Sequence, residues 1–149
     1  ISKKWDKIVN DKDIRLFWAT GKDNFEQATY RMRNFGSAVV KPYFDNAADL
    51  MAAVDLVICR AGASTISELI ELEKPAILIP YDFVGQKENA DVLEYADAAK
   101  IFSNEEVDKA LEEALELVKQ DSILGFMSSN AKKLKKGNAA NIILKEMEI

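Results

Sequence analysis

Histidine is absent from the 149 residues, and cysteine occurs once, at Cys59. A chain without histidine supplies no Ser-His or Cys-His pair, no imidazole base and no imidazole metal ligand. One thiol makes neither an internal disulfide nor a zinc cluster; a single buried thiol suits a reducing compartment. Proline and glycine are scarce, at 3 and 6 residues, and no linker or low-complexity tract is present. No apolar run reaches the roughly 18 residues that a membrane-spanning helix needs. An excess of positive charge is lacking too: 20 Lys and Arg against 25 Asp and Glu give a net charge of −5 and a pI near 4.9. That balance argues against a general nucleic-acid partner, which needs a basic footprint for the phosphates.

What is present is ordinary for one folded domain, with 48% hydrophobic and 30% charged residues,. Short apolar or aromatic runs over 13–20, 37–41, 55–59, 76–79 and 99–102 predict five strands, bounded by Gly21, Pro42 and Pro80. Helical spacing predicts helices over 24–34, 45–54, 65–73, 86–96, 105–119, 122–135 and 139–147. Asp55–Cys59 and Ala76–Ile79 are apolar on both faces, as parallel strands covered on both sides are. The alternation of strand and helix gives βαβ units and an α/β, doubly wound, Rossmann-like parallel sheet. The start, Ile1-Ser2-Lys3-Lys4-Trp5, has no initiator Met and reads as the body of a helix, so a fragment of a longer protein is expected.

In such a sheet ligands bind beyond the carboxyl ends of the strands. After the third strand comes Arg60-Ala61-Gly62-Ala63-Ser64-Thr65-Ile66-Ser67-Glu68. Small residues there let backbone amides approach a ligand, and a helix start beside them favours phosphate. The plain alternative is a strand–helix turn closed by a Thr65-x-x-Glu68 capping box. One turn into the helix, Glu68 is placed to accept hydrogen bonds from ribose hydroxyls. After the fourth strand, Gln86 carries donors and an acceptor suited to sugar hydroxyls. Asn89 lies on the same helical face; the alternative is a polar first turn. Tyr43 and Phe44 after the second strand offer a flat wall for a base, or ordinary core. Glu71 and Glu73 read as solvated helix faces, and so does the cluster Lys132, Lys133, Lys135 and Lys136, for which an anionic membrane surface is the other option. No residues have metal-ligand spacing, and no cofactor is expected.

The blocks Ala53–Glu68, Lys74–Pro80, Gln86–Ala90 and Ala98–Phe102 resemble the donor-binding half of the MurG family, GT-B transferases that add N-acetylglucosamine to a lipid-linked muramyl-pentapeptide precursor of peptidoglycan. The resemblance covers about residues 14–149. It implies a single nucleotide-sugar donor-binding domain over 1–149, the C-terminal half of a GT-B fold. It further implies that Gly62, Ala63, Ser64 and Thr65 hold the donor diphosphate, that Glu68 binds the uridine ribose, and that the Phe44 backbone reads the uracil edge. Gln86 then contacts the N-acetylglucosamine hydroxyls, Asn89 is the motif asparagine, and Arg60 is a motif arginine that either touches the donor or holds the loop.

Two departures accompany the resemblance. Gly85 stands where the family often has His. The family's Gly-rich phosphate loop, with the first strand of the domain, would lie just before Ile1. The expected partners are UDP-N-acetylglucosamine and, through a missing N-terminal domain, the lipid-linked acceptor. That missing half would also hold the general base and the surface that docks on the cytoplasmic face of the bacterial membrane. No catalytic residue is assigned to these residues. Two other readings stay open: another UDP-sugar transferase or epimerase of the same fold, and a non-catalytic nucleotide-sugar-binding subunit.

Overall fold

The computed structural model describes residues 13–82 and 85–136. Five short strands alternate with helices, as the apolar runs require. β1 (Leu16–Ala19), α1 (Phe25–Met32), β2 (Ala38–Lys41), α2 (Ala47–Ala53) and β3 (Val57–Cys59) come first. They are followed by α3 (Ala63–Glu71), β4 (Ala76–Leu78), α4 (Gln86–Glu94) and β5 (Ala99–Ile101). A 3-10 turn over Asn104–Glu106 leads into α5 (Val107–Leu117), and α6 (Asp121–Lys133) ends the described chain. Every predicted strand is present and parallel. The helix expected over 139–147 lies outside the described residues, as does the helix body read at 1–5.

The single sheet expected is divided in two. β1 pairs only with β2, while β3, β4 and β5 pair in that order, among the described residues. Strand order therefore runs outward from a break between β1 and β3, which is how a doubly wound sheet reverses.

The core sits on the β3–β5 half. β4 is buried along its whole length and alternates its side chains between two clusters. Ala76 and Leu78 pack with Ile66 and Leu69 of α3, Leu93 of α4 and Ala131 of α6. On the opposite face Ile77 and Ile79 pack with Ala110, Ala114 and Leu117 of α5 and Met127 of α6. Two strand-returning turns use left-handed residues. Glu73 (φ 54°) follows α3, with Lys74 N–H bonded to Leu69 O and Glu73 N–H to Ile70 O. Asp97 (φ 54°) follows α4, with Ala98 N–H bonded to Leu93 O. These are Schellman closures that usually take Gly.

Two surface expectations change. Glu73 accepts from Lys135 Nζ at 2.7 Å and lies 3.9 Å from Lys132 Nζ. Lys133 donates to Asn130 Oδ1. So Glu73, with Lys135 and Lys132 from that basic cluster, ties the end of α6 to the end of α3 rather than forming a purely solvated face.

A rim of loops above β3, β4 and β5

Register decides which loops meet. Cys59, Leu78 and Ile101 are neighbours at the carboxyl ends of β3, β4 and β5. The segments beginning at Arg60, Ile79 and Phe102 therefore leave the sheet side by side.

Arg60 binds them together. Its Nη1 donates to Ile79 O at 2.8 Å and to Asn104 Oδ1 at 2.6 Å, and its guanidinium lies 4.0 Å from the centre of the Tyr81 ring. Asn104 Nδ2 in turn reaches Asp82 Oδ2 at 3.4 Å. One planar cation thus fastens three loops through charge-assisted hydrogen bonds and stacking. Of the two readings for Arg60, the contacts made are those of a residue that holds the loop. Sequence reasoning gives Tyr81, Asp82 and Asn104 no role; their signal is a place in the loops that follow β4 and β5.

The helix after β3 begins two residues earlier than expected. Gly62 is the N-cap of α3, with no side-chain cap bond, and the first intrahelical bond runs from Ile66 N–H to Gly62 O at 2.9 Å. Thr65 therefore lies inside the first turn and closes no capping box with Glu68. The capping box that does exist is at Ser103 and Glu106, where Ser103 N–H donates to Glu106 Oε2.

The amides of Ala63, Ser64 and Thr65 head a helix whose own carbonyls come too late to reach them. The loop is also more open than protein packing requires. Gly62 has ordinary extended backbone (φ −64°, ψ 146°), and a Cβ there would meet only Thr65 Oγ1, at 3.9 Å. Neither backbone strain nor crowding within the protein demands glycine at this point.

Ala61 is fully buried, and Asn89 Nδ2 of α4 donates to its carbonyl at 3.1 Å. Asn89 thus fixes where the loop turns into α3. Gln86 closes the neighbouring loop by accepting from Tyr81 N–H through Oε1 at 3.2 Å. Gly85 takes a left-handed conformation (φ 64°) as the N-cap of α4, the kind of position glycine fills without penalty. Glu68 is exposed and close enough to Cys59 for its charge to be felt there. Burial, and after it the Glu68 carboxylate, push the Cys59 thiol up to about 12. A thiol raised in this way stays protonated near neutral pH.

Phe44 stands apart from this group, on the β1–β2 half. Its ring meets Phe17 edge to face at 6.4 Å and has Lys41 Nζ 5.5 Å from its centre. Lys41, Phe44, Asp45, Asn46, Asp49 and Leu50 line an open cavity of about 460 Å³ beside it. Arg60, Gly62, Ala63, Ser64, Thr65, Glu68, Gln86 and Asn89 share one rim, and Phe44 belongs to the carboxyl end of the other half-sheet. Among the described residues no group of three His, Cys, Asp or Glu could hold a metal ion, and no helix is long and apolar enough to cross a membrane.

Known proteins resemble this chain. The chain is 47% identical over 152 residues to the UDP-N-acetylglucosamine–N-acetylmuramyl-(pentapeptide) pyrophosphoryl-undecaprenol N-acetylglucosamine transferase of Fusobacterium nucleatum, a match that covers 100% of this chain and 42% of that protein. It is 36% identical to the protein of the same name from Bacteroides thetaiotaomicron, over 94% of this chain and 40% of that one. The chain thus spans about two-fifths of the length of these curated relatives. The crystal structure of Acinetobacter baumannii MurG has the same fold, with a TM-score of 0.78 at 21% identity over 97% of this chain and 44% of that one. The model of the glycosyltransferase family 28 C-terminal domain matches residues 2–143, and the chain belongs to that family.

Proposed function

We propose that the chain is the donor-binding domain of a transferase that moves N-acetylglucosamine from UDP-N-acetylglucosamine to a lipid-linked peptidoglycan precursor. The observation that carries this reading is the start of α3: uncapped amides at Ala63–Thr65 behind a glycine that the protein's own packing does not require. Amides at a helix start, with the helix dipole behind them, favour a diphosphate. They stabilise the negative charge that develops on departing UDP as the anomeric carbon takes oxocarbenium character. Glu68, one turn on, accepts from the ribose hydroxyls. Gln86 and Asn89 each spend one end of the side-chain amide on the protein. The other ends, Gln86 Nε2 and Asn89 Oδ1, suit the sugar hydroxyls. Phe44 and its cavity take the uracil.

The names of the relatives support this donor and this acceptor. The acceptor site, the general base and the surface that docks on the cytoplasmic face of the membrane belong, on this reading, to an N-terminal domain outside these residues. The domain by itself then transfers no sugar.

Calorimetry of UDP against the full-length gene product tests the reading. Glu68→Gln should weaken UDP about tenfold or more, since hydrogen bonds to charged groups are worth about 1.5–3 kcal/mol. Removing the 2′- or 3′-hydroxyl of UDP should cost the wild type affinity and cost the variant much less. Unchanged UDP affinity in Glu68→Gln would sink the assignment.

A further inference from the structure

Lys41 ends β2 on a backbone that its neighbours hold in place. Thr20 N–H donates to the Lys41 carbonyl at 3.0 Å, and Gly21 N–H donates to Pro42 O at 3.0 Å. Thr20 Oγ1 reaches the same Lys41 carbonyl at 3.3 Å. Pro42 keeps the backbone of Lys41 extended. The exposed side chain therefore starts from a fixed point at the carboxyl end of the strand.

Its charge rests on an aromatic ring and not on a carboxylate. Nζ lies 5.5 Å from the centre of the Phe44 ring, within reach of the ring's negative face. Phe17 holds that ring edge to face at 6.4 Å. Asp45 and Asp49 border the same open cavity of about 460 Å³, yet among the described residues Lys41 forms an ion pair with neither. An ammonium carries three N–H donors and no acceptor. Beside a flat ring at the edge of a cavity, those donors suit an acceptor on a planar ligand.

Strand order says which acceptor. β1 is the strand that borders β3 across a shared apolar cavity, and β2 lies outside β1. Glu68, the residue proposed for the ribose, belongs to α3 directly after β3. A base that reaches from there to Phe44 turns its far edge toward β2. In a pyrimidine joined to ribose through N1, the position opposite that nitrogen is C4. Uracil carries a carbonyl oxygen at C4, where cytosine carries an amine.

We infer that Lys41 is a specificity-determining residue of the donor site: its ammonium donates to the C4 carbonyl of a uracil lodged beside Phe44, and so selects uridine over cytidine diphosphates. The inference rests on the donor reading above, which places the base at Phe44 and gives the Lys41 side chain no role. With cytosine the same ammonium meets an amine that can only donate, and the pair is left without an acceptor.

Calorimetry on the full-length gene product compares UDP with CDP for the wild type, Lys41→Met and Lys41→Arg. The wild type should bind UDP about tenfold more tightly than CDP, the scale of one hydrogen bond to a charged group. Lys41→Met keeps the apolar stem and removes the donors. It should weaken UDP about fivefold or more and change CDP by less than about twofold. Lys41→Arg keeps charge and donors and should retain most of the selectivity. Melting temperatures should stay level, because the side chain is exposed. Equal losses of UDP and CDP in Lys41→Met would overturn the inference and leave Lys41 as a general attraction for the diphosphate. An unchanged ratio of UDP to CDP affinity would overturn it as well. Glu68→Gln measured alongside separates the two readings. If that variant weakens UDP while Lys41→Met leaves the ratio unmoved, the donor site stands and the role of Lys41 falls. A wild type that binds no UDP overturns both.

Discussion

The two half-sheets use the same βαβ grammar and end up unlike each other. The β3–β5 half owns all five of the largest fully buried side chains, Leu69, Ile77, Leu78, Leu93 and Leu117. The β1–β2 half contributes Ala28 and Met32 of α1 as its buried hydrophobics among the described residues, and leaves Phe17 and Val39 about two-fifths exposed. β4 has a strand on each side and helices on both faces; among the described residues β1 has a strand on one side only. A strand in a parallel sheet is buried by its neighbours more than by its own composition. The ties across the loops follow the same division, because the Arg60, Gln86 and Asn89 hydrogen bonds all join elements of the β3–β5 half.

Stability measurements sharpen this contrast. Leu78→Ala should cost about 3 kcal/mol in urea unfolding, since a buried leucine on a central strand leaves a cavity that its neighbours fill poorly. Val39→Thr, on the open face of β2, should change stability by about 0.5 kcal/mol or less. Equal losses would mean that the β1–β2 half is as tightly packed as the other.

Arg60→Met keeps much of the side-chain bulk and removes both hydrogen bonds that Nη1 makes. Hydrogen bonds to charged groups predict a loss of about 2 kcal/mol. Arg60→Lys should recover only part of it, because an ammonium does not reproduce a planar fork stacked on Tyr81. Full recovery by lysine would reduce Arg60 to a point charge.

Asp97→Gly should raise stability by roughly 1 kcal/mol, read as a higher melting temperature, because it removes the cost of a left-handed non-glycine residue. The smallest effect is acidic. The hydrogen bond from Lys135 chiefly, with its charge and that of Lys132, holds the Glu73 carboxyl below its usual value against a smaller opposing effect of desolvation. A depressed folded-state value means that this contribution is present above the unfolded value and is lost as pH falls through the folded one. Melts of Glu73→Gln across acid pH should lose that part of the slope, by a small amount because the pair is still partly open to solvent,. An unchanged slope would assign the acid sensitivity to other carboxylates.

Much of this protein was legible before any coordinates. Parallel strands at 16–19, 38–41, 57–59, 76–78 and 99–101 follow from short apolar runs whose limits are marked by Gly and Pro, and the loops that matter follow from the rule that ligands meet strand ends. Period and punctuation are local properties, so a linear sequence carries them. The sequence places the start of α3 at Thr65, because Thr65-x-x-Glu68 is a sound local cap signal. The folded chain nevertheless starts α3 at Ala63, directly after Gly62, with no side-chain cap bond. The role of Arg60 was open because its partners, Ile79 and Asn104, stand 19 and 44 residues away. Glu73 and Lys135 are separated by 62 residues and meet only when α6 packs beside α3. Composition and periodicity determined the α/β class, the strands and the candidate rim. Contacts between distant residues decided which side chains hold that rim, and the direction of strand growth decided where the sheet divides.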